Sequence, residues 1–138
     1  MPKTNLRQQI VIDALPSKVW KVLTGPDYIS QYLFEGEVQC NWTEGSSLML
    51  LSQNNNQPET IHKGRVLQAV PGVVLKYKLK EENADSFVNT TYELIPAEDG
   101  IELKLYCEGF EDSDEEYLIR QQQIKLLLQK IKWLAEYS

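Results

Sequence analysis

The chain has 138 residues, of which 42% are apolar and 25% charged, and 20 acidic against 14 basic side chains give a formal net charge of −6. That length suits one domain, residues 1–138, with a core large enough to fold without staples. The acidic balance, without a basic patch, argues against nucleic acid and against an anionic membrane surface as partners, because both need clustered Lys and Arg.

Met1 to Gln9 is polar and lacks the apolar stretch of an export signal. No run approaches the ~18 apolar residues of a membrane span. A cytoplasmic location is therefore expected, with Cys40 and Cys107 as reduced thiols. Neither cysteine lies in a CxxC or near a second Cys and His, so no metal site and no cofactor are implied.

Leu6 to Ile12 alternate and predict a first strand. Pro16 then sits at a helix N1 position, where a missing N–H costs nothing. Val19, Trp20 and Leu23 form one helical face, although Leu15 is a poor N-cap. Gly25-Pro26 ends this helix and opens another, whose face is Tyr28, Ile29, Tyr32 and Leu33. After Gly36 the period becomes two, through Val38 and Cys40. Trp42 to Gly45 reads as a turn into a strand over Ser47 to Ser52, and Gln53 to Pro58 as a polar hairpin loop.

Thr60 to Val70 and Val73 to Lys80 form a hairpin around Pro71-Gly72. In its second strand Leu75, Tyr77 and Leu79 face one way, and Lys76, Lys78 and Lys80 the other. After a polar turn over Glu81 to Asp85 comes the strand Phe87 to Ile95, then a turn over Pro96 to Gly100. Ile101, Leu103, Leu105 and Cys107 alternate with polar neighbours, the mark of a half-buried antiparallel strand. The last element is a long helix. Ser113 and Glu116 form a capping box, and Asp114 and Glu115 match the macrodipole. Ile124, Leu127, Leu128, Ile131, Leu134 and Ala135 recur at helical spacing. At ~1.5 Å per residue this helix spans about 37 Å, enough to cross a whole sheet. The expected fold is α+β, in the order β-α-α-β-β-β-β-β-β-α. Its mainly antiparallel sheet presents an apolar face that only the terminal helix is long enough to cover.

This order resembles the START / Bet-v-1-like helix-grip superfamily. Six segments are similar to the family of the activator of the heat-shock-protein-90 ATPase. They are Pro16 to Thr24, Thr24 to Tyr32, the Trp42-x-x-Gly45 turn, Gly64 to Leu67 with Pro71 and Leu75 to Tyr77, Thr91 to Leu94 with Asp99-Gly100, and Gly109-Phe110. Tyr32-Leu33 stands where that family usually has two tryptophans. The family's chaperone activators also carry a separate N-terminal domain without counterpart in this sequence.

The resemblance implies a curved sheet wrapped around the terminal helix, with a cavity between them for a small lipophilic molecule. Its lining is expected from Trp20, Tyr28 and Tyr32 on the short helices, and from Ile124, Leu128 and Ile131 on the long one. Val66, Tyr77, Thr90, Tyr92, Leu103, Leu105 and Cys107 would complete it from the strands. A stand-alone, co-chaperone-like interaction module is the alternative, with a chaperone as partner. A polyketide cyclase-like enzyme, orienting its substrate through Tyr92, Thr90 and Tyr77, ranks third.

The remaining reactive residues have plainer readings. His62 is expected as a solvated strand residue, and Glu111, Asp112, Asp114, Glu115 and Glu116 as a solvated helix start. The two cysteines are expected as small apolar core residues. Trp20 and Trp133 should pack helix against sheet, and Trp42 should anchor its turn. The sequence has no phosphate-binding Gly motif, no nucleophile elbow and no paired catalytic carboxylates, so an enzyme is not the favoured class.

Overall fold

The computed structural model describes residues 4–33, 36–54, 57–81 and 84–138. Alternation and turn chemistry yield seven strands and three helices. They are β1 (Thr4–Ile12), α1 (Pro16–Thr24), α2 (Pro26–Tyr32), β2 (Glu37–Gln39), β3 (Ser47–Asn54), β4 (Gln57–Val70), β5 (Val74–Glu81), β6 (Val88–Ala97), β7 (Gly100–Phe110) and α3 (Asp114–Tyr137). The strands form one antiparallel sheet in the order β1-β7-β6-β5-β4-β3-β2. Short turns join each successive pair from β2 to β7, whereas β1 closes onto the last strand. That is the expected helix-grip order.

Bulges bend the sheet. The β3–β4 register shifts between Leu50 and Leu51, and the β4–β5 register between Val66 and Gln68. Ile61 and Leu67 are thereby left as extra residues on β4, and such insertions kink a strand and increase its twist. A third shift lies between Thr4 and Asn5, where Gly109 is the extra residue at φ 108°. Leu48, Leu50, Val66, Leu75, Leu94 and Leu103 are buried on the face turned toward the helices.

Two hairpins are tighter than expected. The loop expected over Gln53 to Pro58 shrinks, because Gln53 pairs with Pro58 and Asn54 with Gln57; residues 55 and 56 lie outside the described residues. Pro96 belongs to β6 and pairs with Ile101, which leaves only Glu98-Asp99 between paired residues. The turn over Glu81 to Asp85 keeps an Ala84 N–H to Glu81 carbonyl bond of 3.0 Å, with residues 82 and 83 outside the described residues. Trp42 anchors its turn at φ 55°, and Ser46 Oγ donates to the Thr43 carbonyl at 2.7 Å.

The capping box of α3 is present: Ser113 Oγ accepts from Glu116 N at 3.2 Å, and Glu116 Oε1 accepts from Ser113 N at 3.1 Å. The helix packs against β1 and along α1 and α2. Leu128, Ile131, Leu134 and Ala135 are buried. Lys132 Nζ donates to the Val11 carbonyl at 2.8 Å, Asp13 N to Glu136 Oε2 at 2.8 Å, and Lys18 Nζ to the Ser138 carbonyl at 2.8 Å. Among the described residues no helix is long and apolar enough to cross a membrane.

Trp133 does not pack on the sheet. It is 59% exposed and lies against Tyr137, with ring centroids 6.1 Å apart. The helical advance explains this: Trp133 stands two residues, roughly 200°, beyond the buried Ile131.

Gly64 pairs with both Leu48 and Leu79, and a Cβ at this position would lie 1.7 Å from the Lys78 carbonyl oxygen. Gly64→Ala is expected to cost more than ~3 kcal/mol of stability in urea unfolding. A parent-like midpoint would contradict this strand spacing.

Candidate functional site

Strand register brings the site together. Tyr77 on β5 lies opposite Thr90 on β6, and Thr90 lies opposite Cys107 on β7. One row along, Tyr92 sits between Leu75 and Leu105; on the other side Leu79 pairs with Val88. Above this floor the first half of α3 stands off. Ile124 and Leu127 are only half-buried, whereas Leu128 and Ile131 are fully packed. The space between is a cavity of about 740 Å3. Its lining includes Ala84 to Ser86 and Gly109 to Asp112, and the exposed residues Glu81, Asp85 and Glu111 mark its rim.

The floor is neutral. Burial raises the phenol pKa of Tyr77, and the Tyr92 and Thr90 hydroxyls pull it back in part. Burial, with Tyr77 and Tyr32 nearby, also raises Tyr92 well above the usual phenol value. Burial pushes the Cys107 thiol up to about 11 against partial opposition from Thr90 and Arg120. Burial of this kind favours the thiol over the reactive thiolate.

The rim carries the charge. Arg120 Nε donates to Asp112 Oδ2 at 2.7 Å and Nη2 to Oδ1 at 3.1 Å, a bidentate pair. The guanidinium lies 3.7 Å from the centre of the Phe110 ring. Asp112 is 4% exposed at its side chain, so it departs from the solvated helix start expected of it. Its carboxylate instead turns back to Arg120, joining the end of β7 to the second turn of α3. His62 also departs from expectation. It is half-buried at the cavity wall, and its Nε2 lies 4.0 Å from Glu81 Oε1.

Of the expected lining residues, Tyr77, Thr90, Tyr92, Leu105, Cys107 and Ile124 meet at the cavity. The others lie elsewhere. Val66, Leu103, Leu128 and Ile131 are closed core, because the second half of α3 packs down without a gap. Tyr32 is buried core whose hydroxyl donates to the Leu23 carbonyl at 2.9 Å. Tyr28 stands at the junction of α1, α2 and the end of α3, with Lys18 Nζ 3.2 Å from its hydroxyl. Trp20 borders a separate hollow of about 340 Å3 beside Pro16 and Pro71.

The expectation also missed part of the lining: Leu33, Leu50, His62, Leu79, Val88 and Arg120. Period two carried the signal for three of them. His62 is in phase with Gly64 and Val66, Leu79 with Tyr77, and Val88 with Thr90.

Sheet, helix and cavity together define a helix-grip protein. The chain belongs to the family described as Activator of Hsp90 ATPase homolog 1-like protein, whose model matches residues 13–136. No curated protein matches it. Solved structures share the fold. One is a protein from Cytophaga hutchinsonii, with a TM-score of 0.79 and 23% identity over 94% of this chain and 92% of that one. The Aha1 dimer from Colwellia psychrerythraea is similar at TM-score 0.77 and 15% identity, covering 97% of each chain. CalU16 from Micromonospora echinospora is similar at TM-score 0.68 and 20% identity, over 98% of this chain and 76% of that one.

Two outcomes follow from the geometry. Below the free thiol value of 9.0, Cys107 carries its proton in both the folded and the unfolded chain and adds no pH dependence. Above it the unfolded thiol ionises while the folded one keeps its proton up to about 11, so stability falls as pH rises through this window. Urea midpoints of Cys107→Ala are expected to be flatter than the parent's between pH 9 and 10; parallel curves would contradict the assignment. Arg120→Ala strands a buried carboxylate, and an expected loss of about 1–3 kcal/mol, after allowing for the partial exposure of Arg120, is read from the same titration at pH 7. An unchanged midpoint would mean that Asp112 does not depend on Arg120.

Proposed function

We propose that this protein binds a small lipophilic molecule between the sheet and the first half of α3. The observation that carries the reading is the cavity itself. Its volume of about 740 Å3 falls within the ~300–1,000 Å3 usual for ligand sites, which pair apolar walls with a few placed polar groups. Leu50, Leu79, Val88, Leu105, Ile124 and Leu127 supply the apolar walls, and Tyr77, Thr90 and Tyr92 the polar groups. Each ~100 Å2 of apolar ligand surface moved from water into such a site contributes about 2.5 kcal/mol before ordering costs. The rim pair Arg120–Asp112 ties the second turn of α3 to the segment that follows β7.

Nile red, a neutral apolar dye, tests the reading by its fluorescence. Ile124→Trp places a larger ring in the cavity from α3 and is expected to weaken binding about tenfold or more, equivalent to ~1.4 kcal/mol. Leu126→Trp, on the outer face of the same helix, is the control and is expected to leave binding unchanged. Equal binding by the parent and Ile124→Trp would place the dye outside the cavity and end the proposal.

A further inference from the structure

Resting on the cavity-binding reading, the geometry points to the chemical class of the ligand: an apolar body whose leading end is an uncharged hydrogen-bond acceptor, a ketone or ester carbonyl, received by the hydroxyls of Tyr77, Tyr92 and Thr90.

Three hydroxyls converge on one patch of the cavity floor. Tyr77 and Thr90 are direct cross-strand partners, and Tyr92 lies two residues from Thr90 on the same face. The two tyrosines are 3% and 1% exposed, with ring centroids 6.4 Å apart. Both phenols are protonated at neutral pH, and the Tyr92 and Thr90 hydroxyls hydrogen-bond to that of Tyr77, with Thr90 also bonded to the Cys107 thiol; three contacts among four donor groups leave a hydrogen of this cluster for a ligand. A hydrocarbon end offers that hydrogen no acceptor whereas a carbonyl does, and a buried donor left unpaired is a loss.

Charge is excluded from the same place. The cavity-lining cations Lys80 and Arg120 stand at the rim, and Arg120 is already held by Asp112. A carboxylate against the two phenols would be desolvated beside neutral groups, and Arg120, whose charge reaches Cys107, is already paired with Asp112, so that placement is costly. A charged group on the ligand therefore belongs at the rim. The reach is set by β5: from Tyr77 at the floor to Glu81 at the rim is four residues, roughly 13 Å of strand. Two or three fused rings, entering carbonyl first, match that depth.

Three naphthalenes of one shape test this: 2-acetylnaphthalene, 2-ethylnaphthalene and 2-naphthoate, titrated at pH 7.5 by quenching of protein fluorescence. The ketone is expected to bind about fivefold or more tighter than the hydrocarbon, and the carboxylate more weakly than the ketone. Tyr77→Phe and Tyr92→Phe are each expected to bring the ketone-to-hydrocarbon ratio toward one. Both should bind 2-ethylnaphthalene at least as tightly as the parent, which also reports an intact cavity. Binding of all three with equal affinity, or tightest binding of the naphthoate, overturns the inference while the cavity reading stands. A ketone preference unchanged in both variants overturns the assignment to these hydroxyls. Failure of all three to bind overturns the cavity reading, and this inference with it.

Discussion

A curved sheet with one apolar face cannot be left open to water, and a single straight helix cannot follow its curve from end to end. The structure resolves that conflict unevenly. Leu128, Ile131, Leu134 and Ala135 seat the second half of α3 with no gap beneath it. Lys132 and Glu136 bind that half to the end of β1 and the residue after it. Toward the other end, Gln8 Nε2 donates to the Gln121 carbonyl at 2.7 Å, and Arg120 grips Asp112. The helix is held at both ends, and where the bulged sheet bends away the space stays unfilled. Cavity, rim and floor all follow from that mismatch.

The same arrangement sorts the chemistry by depth. Groups that hold a charge sit at the rim, and the buried one, Asp112, is paired with Arg120. Groups that remain neutral when buried, two phenols, a threonine hydroxyl and a thiol, sit at the floor. Burial favours the protonated form of each of these acids. Membership in the activator family establishes ancestry and fold; it does not fix the work of the site, because one fold hosts many activities.

Much of the fold was legible in local patterns. The alternation from Ile101 to Cys107, the turn at Pro71-Gly72 and the Ser113–Glu116 capping box each stand as read. Five strand residues expected at the cavity, Tyr77, Thr90, Tyr92, Leu105 and Cys107, line it for the same reason: period two decides which side of a sheet a residue faces. The misreadings share a cause as well. Val66 and Tyr77 are cross-strand partners on one face, yet one is closed core and the other cavity floor. Alternation assigns a face and says nothing about what stands above it. Asp112 and His62 were misplaced because their surroundings come from Arg120 and Glu81, residues on other elements or opposite strands.

The sequence by itself determined the order of elements, the antiparallel pairing of the sheet, the capped terminal helix and the family resemblance. These depend on short-range sterics, turn residues and hydrophobic period, which neighbouring residues encode. Only the tertiary structure decided where α3 touches the sheet and where it stands clear, and so which inward-facing residues became core and which became cavity. That division depends on strand bulges and on ties between residues more than a hundred positions apart, such as Lys132 with Val11 and Lys18 with Ser138. No local pattern carries distances of that kind.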